Sequence, residues 1–572
     1  GGGERTESCA SWPRQHAYEV APGAASAALP LGYRRRDPEA TVLHQAVRES
    51  LATFLAESAL AGGQPRHVER DFAGYLECGV LARGFSRVRC RTCGDEMLLA
   101  FSCKGRGVCP SCNTRRARDT AAHLVDNVLP SVPYRQWTLS FPKRIRWHLA
   151  RDVRLMSAVR DVFLRALFGF LRARARELGL DGQPGAIGFE QRFSSALALN
   201  PHLHVLVPEG LFAPPPSSGG TATFQPLPPP SDDEVEALLL TIATRTVRLL
   251  RKRGLLDEDA FPSSAHDATL AASLQHRFPF PADTPPRKQR CAFLEGFSLH
   301  ANTHVHENDR PGLELLCRYG ARGAISLSRL SRREDGRLAY RMKRQAPDGS
   351  THLVLTPLEL TRRLAALVPP PRAHLVHYSG VFAPRAKLRP HVVPQPLGPP
   401  TAAPTACSPK AKPTVKKTTR LSWAALLLRV FAIDVLTCPC GGQRQVVAFI
   451  TEVKVVREIL EHLHLPSRPL PWALAQAPPQ LEWGGLRAFE PAAVLGNTAY
   501  GASTFRPGRT PPQRREGRVR LVAPLASLRA PARTARSTSP RSLRARKAQL
   551  SRLRSCLKCP MRKDNSTARG AV

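Results

Sequence analysis

The sequence has few acidic residues and no long apolar run. It contains 45 Asp and Glu against 84 Lys and Arg in 572 residues, which gives a formal net charge of +39. Such a basic chain attracts polyanions, so DNA, RNA or an anionic membrane surface is the expected partner. The longest apolar stretch, Ala424 to Leu436, is interrupted by Arg429 and Asp434, whereas a membrane-spanning helix needs ~20 apolar residues. We therefore expect no membrane association, which favours a nucleic acid.

No charged segment followed by an apolar one stands at the start of the given sequence, so we expect no secretory signal. The 14 cysteines are therefore not expected to form disulfides. A hydrophobic share of 42% excludes a chain that is disordered throughout. Residues 506–572 differ from the rest, with 19 Lys and Arg and two acids. We predict a disordered basic tail there, which either binds DNA non-specifically or has its composition by accident.

Cysteine spacing is the first sign of chemistry. Cys90 and Cys93 form one C-x2-C pair, Cys109 and Cys112 form a second, and 15 residues separate the two pairs. This is the spacing of a two-knuckle zinc site, in which four thiolates form the tetrahedral set that suits Zn2+. We predict a structural zinc ion held by these four cysteines, with unconnected buried cysteines as the alternative.

Other cysteines are harder to assign from spacing. Cys78 and Cys103 are left over, and either could replace a zinc ligand or lie in the core. Cys438 and Cys440 are one residue too close for a C-x2-C knuckle, and no second pair follows nearby, so they indicate a metal site only weakly. The C-x2-C pair of the basic tail is attributed to chance.

His202 and His204 are the most informative residues outside the cysteines. They begin a run that extends to Val207 and is typical of a β-strand, in which residues i and i+2 share a face. Two imidazoles on one face can hold one divalent metal ion, while the apolar residues between them point into a core. On spacing alone, two surface histidines remain the alternative.

Hydrophobic periodicity predicts the elements around this strand. Ser231 and Glu234 form a capping box that marks the start of one helix, and Gly254 marks its end. The other predicted elements are helices at 40–60, 152–178 and 312–319 and strands at 134–142, 185–197, 202–207, 336–343 and 351–356.

Five segments together carry a resemblance to a known family. They are Cys78–Cys112, Ile187–Phe212 with its Asn-Pro-His-Leu-His sequence, Gly296–His300, Leu315–Tyr319 and Tyr378–Pro384. In order and spacing they resemble the insertion-sequence 91 family of transposases, which belongs to the HUH (His-hydrophobe-His) rolling-circle nucleases. The resemblance extends over about residues 33–470.

The resemblance implies an enzyme that nicks and joins single-stranded DNA. The implied fold class is α+β: a zinc ribbon-like module, then an HUH-type antiparallel sheet backed by helices, then the disordered basic tail. His202 and His204 would bind Mg2+ or Mn2+, and Tyr319 would attack DNA to give a 5′-phosphotyrosine and a free 3′-OH. Arg322 lies three residues after Tyr319, so it can share a helix face with it and bind phosphate.

The resemblance leaves open the third metal ligand and, less so, the nucleophile. Gln191, on the strand before the histidine pair, fits the family pattern best as the third ligand. The rival ligands are Glu190 and Glu209, the residues assigned substrate or structural roles are His300, His304 and His306, and the reserve nucleophiles are Tyr340 and Tyr378.

The sequence departs from the family pattern at a few positions. Glu209 precedes Gly210 where Asp is usual, and Gly323 follows Arg322 where Pro is frequent nearby. No second tyrosine lies within 20 residues after Tyr319, which favours a one-tyrosine mechanism. The alternatives to a transposase are a zinc-dependent DNA-binding protein that no longer cuts and a plasmid replication initiator or relaxase with the same chemistry.

The resemblance and the composition predict how the chain is divided. We expect a protein of the bacterial cytoplasm that works at the nucleoid on single-stranded element ends and target DNA; its oligomeric state stays open. The predicted segments are an irregular extension at 1–38, a zinc-binding domain at 39–127, a catalytic domain at 128–395 with a linker and helical insert at 213–290, a Pro-rich linker at 396–420, a small C-terminal module at 421–470 and the disordered basic tail at 471–572.

Overall fold

The structure is a computed structural model that describes most of the chain before the basic tail. The Pro-rich linker lies outside the described residues. So do nearly all of the N-terminal extension and nearly all of the tail, together with the predictions made for them. Those residues are 36–216, 220–255, 264–275, 289–343, 345, 349–394, 422–431 and 434–476.

The described residues combine helices with antiparallel sheets, as predicted. The helices are α1 (Val42–Ala59), α2 (Arg66–Glu77), α3 (Pro110–Asn127), α4 (Lys143–Arg151), α5 (Val153–Glu177), α6 (Asp232–Lys252), α7 (Ala265–Gln275), α8 (Arg310–Gly320), α9 (Pro357–Leu367), α10 (Arg389–Val392), α11 (Trp423–Phe431) and α12 (Val453–His462). The strands are β1 (Phe85–Cys90), β2 (Glu96–Ala100), β3 (Tyr134–Ser140), β4 (Gly185–Phe193), β5 (Leu199–Pro208), β6 (Gly210–Ala213), β7 (Thr223–Pro226), β8 (Cys291–Leu294), β9 (Phe297–Val305), β10 (Leu330–Arg332), β11 (Leu338–Arg341), β12 (His352–Leu355), β13 (Val376–Gly380) and β14 (Arg444–Ile450).

A six-stranded antiparallel sheet is the centre of the fold. Its strand order is β13-β4-β5-β3-β9-β8, so the strand with the histidine pair, β5, lies in the interior of the sheet. Leu203, Val205 and Val207 are buried on one face of β5. α5 covers this face, where the rings of Trp137 and Phe170 lie 6.1 Å apart, and α6 packs beside α5. The predicted α+β class, with an antiparallel sheet backed by helices, is confirmed.

The opposite face of the sheet carries the histidine pair and a second helical layer. Here α3 and α8 pack against each other and bury apolar residues of β4 and β5. The cluster between helices and sheet includes Ile187, Phe189 and Leu206 from the strands and Leu313 and Leu316 from α8. Through this layer, α8 is packed over the sheet face that carries the histidine pair.

Local sequence signals account for several helix boundaries. The predicted capping box is present at the start of α6: Ser231 Oγ accepts from the Glu234 amide at 3.2 Å, and Glu234 Oε2 accepts from the Ser231 amide at 2.7 Å. The helices predicted at 40–60 and 152–178 are α1 and α5. These elements could be predicted because their caps and apolar spacing lie within the elements themselves.

A second core, formed mainly by helices, surrounds the cysteine segment and includes Phe193 and Leu199 from the ends of β4 and β5. α1, α2 and α9 pack together through Leu43, Phe54, Phe72 and Leu364, and the strands β10, β11 and β12 close this core. Cys78, Cys109 and Cys112 of the predicted zinc-binding domain are buried in the same core. Among the residues that the structure describes, every helix is too short or too polar to cross a lipid bilayer.

The residues predicted as a small C-terminal module extend the sheet of the zinc-binding region. β14 pairs with β1 in antiparallel register, from Phe85 opposite Ile450 to Cys90 opposite Arg444, and the sheet order is β14-β1-β2. Val456 and Leu460 of α12 close a small core against Phe85.

Candidate functional site

The histidine pair lies in the middle of the central sheet, on the face covered by α8. His202 is opposite Gln191 on β4 and His204 is opposite Phe189. The two imidazole rings are 4.9 Å apart between centroids. Because residues i and i+2 of a strand share a face, this is the arrangement that the sequence predicts for a metal-binding pair.

His204 presents an unpartnered nitrogen in a buried position. Its Nδ1 lies 3.1 Å from Thr138 Oγ1, whereas its Nε2 is buried and has no hydrogen-bond partner within the described part of the chain. Burial lowers the pKa of His204 well below its usual value, and the charges of Arg322 and Lys343 lower it further. A neutral ring with a free lone pair is a suitable ligand for a metal cation.

His202 has a fixed ring orientation. Its Nδ1 is 2.7 Å from the Asn200 carbonyl, and a carbonyl can only accept, so Nδ1 donates and Nε2 keeps a lone pair. Burial lowers the pKa of His202 to about 4, and the charges of Arg322 and Arg146 act in the same direction. Both histidines are therefore neutral at neutral pH.

Tyr319 reaches this site from the last turn of α8. Its ring centroid is 5.7 Å from that of His204, at right angles to it. The Arg322 guanidinium lies 4.7 Å from the centre of the Tyr319 ring and 4.8 Å from the centre of the Phe193 ring, and Lys343 Nζ lies 4.7 Å from Tyr319. The tyrosine is half-buried, and its ring has buried His204 and two cations as neighbours.

Gln191 links the histidine strand to the tyrosine helix. Its Nε2 donates to the carbonyls of Tyr319 at 2.7 Å and Gly320 at 2.9 Å. The last carbonyls of a helix have no partner within the helix, so this amide caps the end of α8. Its Oε1 is buried without a hydrogen-bond partner in the described residues. This oxygen keeps its lone pairs, as the predicted third metal ligand requires.

The rival ligands lie on the other face of the sheet. Glu190 is opposite Leu203, whose side chain points away from the histidine pair. Glu209 forms an ion pair with Arg135 and accepts from His304 Nε2 at 2.8 Å, and Arg135 and His304 are paired on that same opposite face. The structure therefore does not bring Glu190, Glu209 or His304 to the histidine pair.

The remaining histidines lie at or beyond the edge of the site. His300 shares the face of His204, with Thr138 of β3 between them, and its Nδ1 is 3.0 Å from Cys291 Sγ. His306 is exposed after the end of β9 and accepts from the Asn308 amide.

The two reserve nucleophiles have other surroundings. Tyr340 is fully buried, and its hydroxyl accepts from the Ser326 amide at 3.4 Å. Tyr378 lies on the edge strand β13, with the Arg389 guanidinium 5.9 Å from its ring. Of the three tyrosines considered from the sequence, Tyr319 is the one packed against His204.

Eight cysteines of the described residues form two clusters, and the membership of these clusters differs from the grouping that spacing predicts. Cys78, Cys103, Cys109 and Cys112 form the first cluster. Sulfur–sulfur distances are 3.7 Å from Cys78 to Cys112 and 3.5 Å both from Cys103 to Cys112 and from Cys78 to Cys109. A tetrahedral zinc ion with Zn–S bonds of ~2.3 Å requires sulfurs roughly 3.8 Å apart. The donor set therefore fits zinc.

The second cluster consists of Cys90, Cys93, Cys438 and Cys440. Cys90 Sγ is 3.6 Å from Cys440 Sγ, and Cys93 Sγ is 3.6 Å from Cys438 Sγ. The pKa of Cys90 is lowered to about 6, chiefly by the backbone amide of Cys93 and also by that of Thr92. The cysteines that spacing did not assign therefore all lie in clusters, Cys78 and Cys103 in the first and Cys438 and Cys440 in the second.

The predicted grouping of Cys90 and Cys93 with Cys109 and Cys112 is therefore corrected. The hairpin of β1 and β2 carries Cys90 and Cys93 to its tip, whereas Cys109 caps the N-terminus of α3. Cys109 and Cys112 are joined instead by Cys78 and Cys103, and Cys90 and Cys93 are joined by Cys438 and Cys440.

The loop before α3 is held by Asp71. Its carboxylate accepts from the amides of Gly107 at 2.9 Å and Val108 at 2.8 Å. The same loop leads to Cys109 and Cys112 at the positive end of the α3 dipole, which favours thiolates over thiols there.

Two known protein families match separate parts of the chain, one around the cysteines and one around the histidine pair. The family described as "Transposase zinc-binding domain" matches residues 46–141, and the family described as "Putative transposase" matches residues 185–389. The first match contains the whole first cluster and half of the second, and the second match contains the histidine pair, Gln191 and Tyr319. No curated protein and no solved structure matches the chain.

Proposed function

This chain belongs to the insertion-sequence 91 family of transposases, and from that premise we propose that it cuts and rejoins single-stranded DNA through a covalent bond to Tyr319. The observation that carries the proposal is the packing of Tyr319 against His204, whose Nε2 is buried and has no hydrogen-bond partner among the residues that the structure describes. A tyrosine packed only for stability does not need a buried ligand nitrogen and two cations around its ring.

In the proposed reaction the Tyr319 hydroxyl oxygen attacks a phosphorus atom of the DNA backbone. The bond from phosphorus to the tyrosine oxygen forms, and the bond from phosphorus to the 3′ oxygen breaks. The phenol loses its proton, and the departing 3′ oxygen ends as a hydroxyl. The products are a 5′-phosphotyrosine and a free 3′-OH, and because the phosphodiester energy is kept, rejoining needs no ATP.

His202, His204 and the Gln191 Oε1 atom are the residues that would hold a divalent ion. When bound, Mn2+ or Mg2+ would neutralise negative charge on the scissile phosphate. Two of the three donors are imidazole nitrogens. Mg2+ strongly prefers oxygen ligands, so this donor set favours Mn2+.

Arg322 is placed to bind the phosphate next to Tyr319. Its guanidinium lies between the rings of Phe193 and Tyr319, and its Nε is buried without a hydrogen-bond partner in the described residues. The N–H groups of a guanidinium lie in its own plane, where they can form paired hydrogen bonds with phosphate oxygens. Arg322 would therefore orient the phosphate while the net charge of the chain attracts the DNA.

The test is to incubate the protein with single-stranded DNA that spans both ends of the encoding element, with Mn2+ or Mg2+ and with a chelator. We expect a protein–DNA adduct that survives denaturation, requires the metal ion and maps to Tyr319. Tyr319→Phe removes one oxygen, so the fold should remain while the adduct disappears. Tyr378→Phe serves as the matched control and should keep the adduct.

Each other outcome has a defined meaning. An adduct that maps to Tyr340 or Tyr378 would refute the assignment of the nucleophile. No adduct with either metal ion, together with intact zinc and intact DNA binding, would favour the DNA-binding protein that no longer cuts. Specific cleavage of a plasmid origin instead of element ends would favour the replication initiator or relaxase.

A further inference from the structure

One cluster of potential ligands extends beyond both family matches. Cys90 and Cys93 lie in the matched zinc-binding domain, whereas Cys438 and Cys440 lie outside both matched regions. We propose that these four cysteines bind a second zinc ion, which joins the segment around β14 to the zinc-binding domain. The proposed function does not assign this site or require it.

The sulfur geometry fits a zinc ion and not a pair of disulfides. The two measured distances between partners, Cys90 to Cys440 and Cys93 to Cys438, are both 3.6 Å. A disulfide requires ~2.05 Å, whereas a tetrahedral zinc site requires roughly 3.8 Å. All four sulfurs lie within 4.8 Å of one another, as a single ion demands.

The loop that carries Cys438 and Cys440 has the form of a zinc knuckle. The Gly441 amide donates to the Cys438 carbonyl at 2.9 Å, and the Gly442 amide donates to Cys440 Sγ at 3.4 Å. Gly441 has φ +82°, and a Cβ on Gly442 would lie 2.9 Å from Cys90 Sγ. The two glycines that follow the pair are thus explained by the turn and by the approach of the opposite knuckle.

Contacts other than sulfur bring the two knuckles together. The Arg91 amide donates to the Gln443 carbonyl at 3.1 Å, and Arg444 forms an ion pair with Asp95 at 2.6 Å. β1 and β14 are paired up to Cys90 and Arg444. Strand pairing therefore brings the two knuckles together, although the partners are 345 and 350 residues apart in the chain.

The two clusters differ in their surroundings, which predicts different consequences of metal loss. The first cluster is part of the helical core, whereas Cys93 and Cys440 of the second are exposed. The core that α12 forms with the zinc-binding domain is small, and Phe449 of β14 is 70% exposed. A segment with so little apolar burial depends strongly on a metal crosslink.

The experiment counts zinc in the full-length protein. Cys556 and Cys559 are first replaced by Ser in every sample, so that the pair in the basic tail cannot contribute. We expect about two zinc equivalents in this reference protein and about one in the Cys438→Ser/Cys440→Ser variant, from one ion per four thiolates. The Cys90→Ser/Cys93→Ser variant should also hold about one, and the variant with all four changes should still hold about one.

The count separates the proposal from the grouping by sequence spacing. If Cys90 and Cys93 shared an ion with Cys109 and Cys112, the Cys438→Ser/Cys440→Ser variant would lose no zinc, and this result would overturn the proposal. A reference protein with a single equivalent would overturn it as well. Cys291→Ser is the matched control, since Cys291 belongs to neither cluster, and it should keep the reference zinc content.

Two further measurements keep the test decisive if a serine variant folds poorly. Cys440→His replaces one zinc ligand by another, so it should restore the zinc content, whereas Cys440→Ser should not. In the unmutated clusters, a chelator should make both Cys90 and Cys438 reactive toward alkylation. Alkylation of Cys438 that is independent of the chelator would refute a shared ion. Neither readout uses DNA cleavage, so failure here is distinct from failure of the proposed nuclease.

Discussion

Gln191 has two separable roles in the candidate site, and replacing it tests both. Its Nε2 caps the Tyr319 and Gly320 carbonyls, while its Oε1 is left for the proposed metal ion. Gln191→Met has a similar volume but lacks both the donor and the ligand oxygen. Gln191→Glu keeps a ligand oxygen but places a carboxylate against the two carbonyls.

The expected loss of stability follows from the two hydrogen bonds. Loss of the partly buried bond to the Tyr319 carbonyl costs ~1 kcal/mol net, and loss of the bond to the Gly320 carbonyl, which is then buried and unpaired, costs ~1–3 kcal/mol. Gln191→Met should therefore lower the free energy of local opening of α8 by about 2–4 kcal/mol. At a factor of ten for each ~1.4 kcal/mol, amide hydrogen exchange in α8 should accelerate by roughly 30- to 700-fold.

Hydrogen exchange followed by mass spectrometry of the α8 peptide is the assay, because it does not require the whole chain to unfold in one step. Gln445→Met is the matched control: Gln445 is an exposed residue of β14 and accepts from Arg91. Both Gln191 variants should slow adduct formation, because Tyr319 is no longer held, but only Gln191→Met should weaken binding of Mn2+. Unchanged exchange of α8 in Gln191→Met would falsify the capping role, and equal Mn2+ affinity in both variants would refute the ligand role.

Four further predictions concern charge, metal, acidity and salt. Arg322→Lys keeps the charge but loses the planar stack on Tyr319, so adduct formation should slow at least tenfold while filter-binding affinity for DNA stays nearly unchanged; equal loss of both would contradict a phosphate-orienting role. Mn2+ should support the adduct at lower concentration than Mg2+ in a titration, and the reverse order would argue against imidazole ligands. Burial and the neighbouring His67 lower the pKa of His266 to about 4; since the unfolded chain takes up this proton first, stability should fall as pH decreases from ~6.5 toward 4, and His266→Gln should flatten that part of the urea-midpoint profile. Deletion of 506–572 should reduce the salt dependence of DNA affinity, and an unchanged slope would exclude the tail as a DNA-binding arm.

The parts of the site that could be predicted from the sequence are those with local causes. The positions of His202 and His204 on one face follow from the period of a strand, and the capping box of α6 is present where Ser231 and Glu234 predicted it. The proximity of Tyr319 to His204 is of another kind, because it came from the family resemblance. No local pattern indicates that α8 crosses the sheet above that strand.

The choice among the third-ligand candidates needed the strand register. Glu190 and Gln191 are neighbours, so the alternation of a strand puts only one of them on the histidine face. Only the pairing of Gln191 with His202 decides which one. A shift by one residue would have put the carboxylate at the site instead, and the sequence alone contains no turn that fixes this register.

The cysteines show the limit of spacing arguments most clearly. A short C-x2-C segment indicates that two thiols share one ion, because the turn between them brings both sulfurs to the same side. It contains no information on which other pair completes the set, since that depends on how distant segments pack.

Cys109 and Cys112 are near Cys90 and Cys93 in sequence, but the end of α2 and the start of α3 bring Cys78 to them first. The hairpin pair is then left with two open positions, and the strand pairing of β1 with β14 supplies Cys438 and Cys440. Sequence distance is therefore a poor guide to ligand sets wherever a sheet is completed by a strand from the other end of the chain.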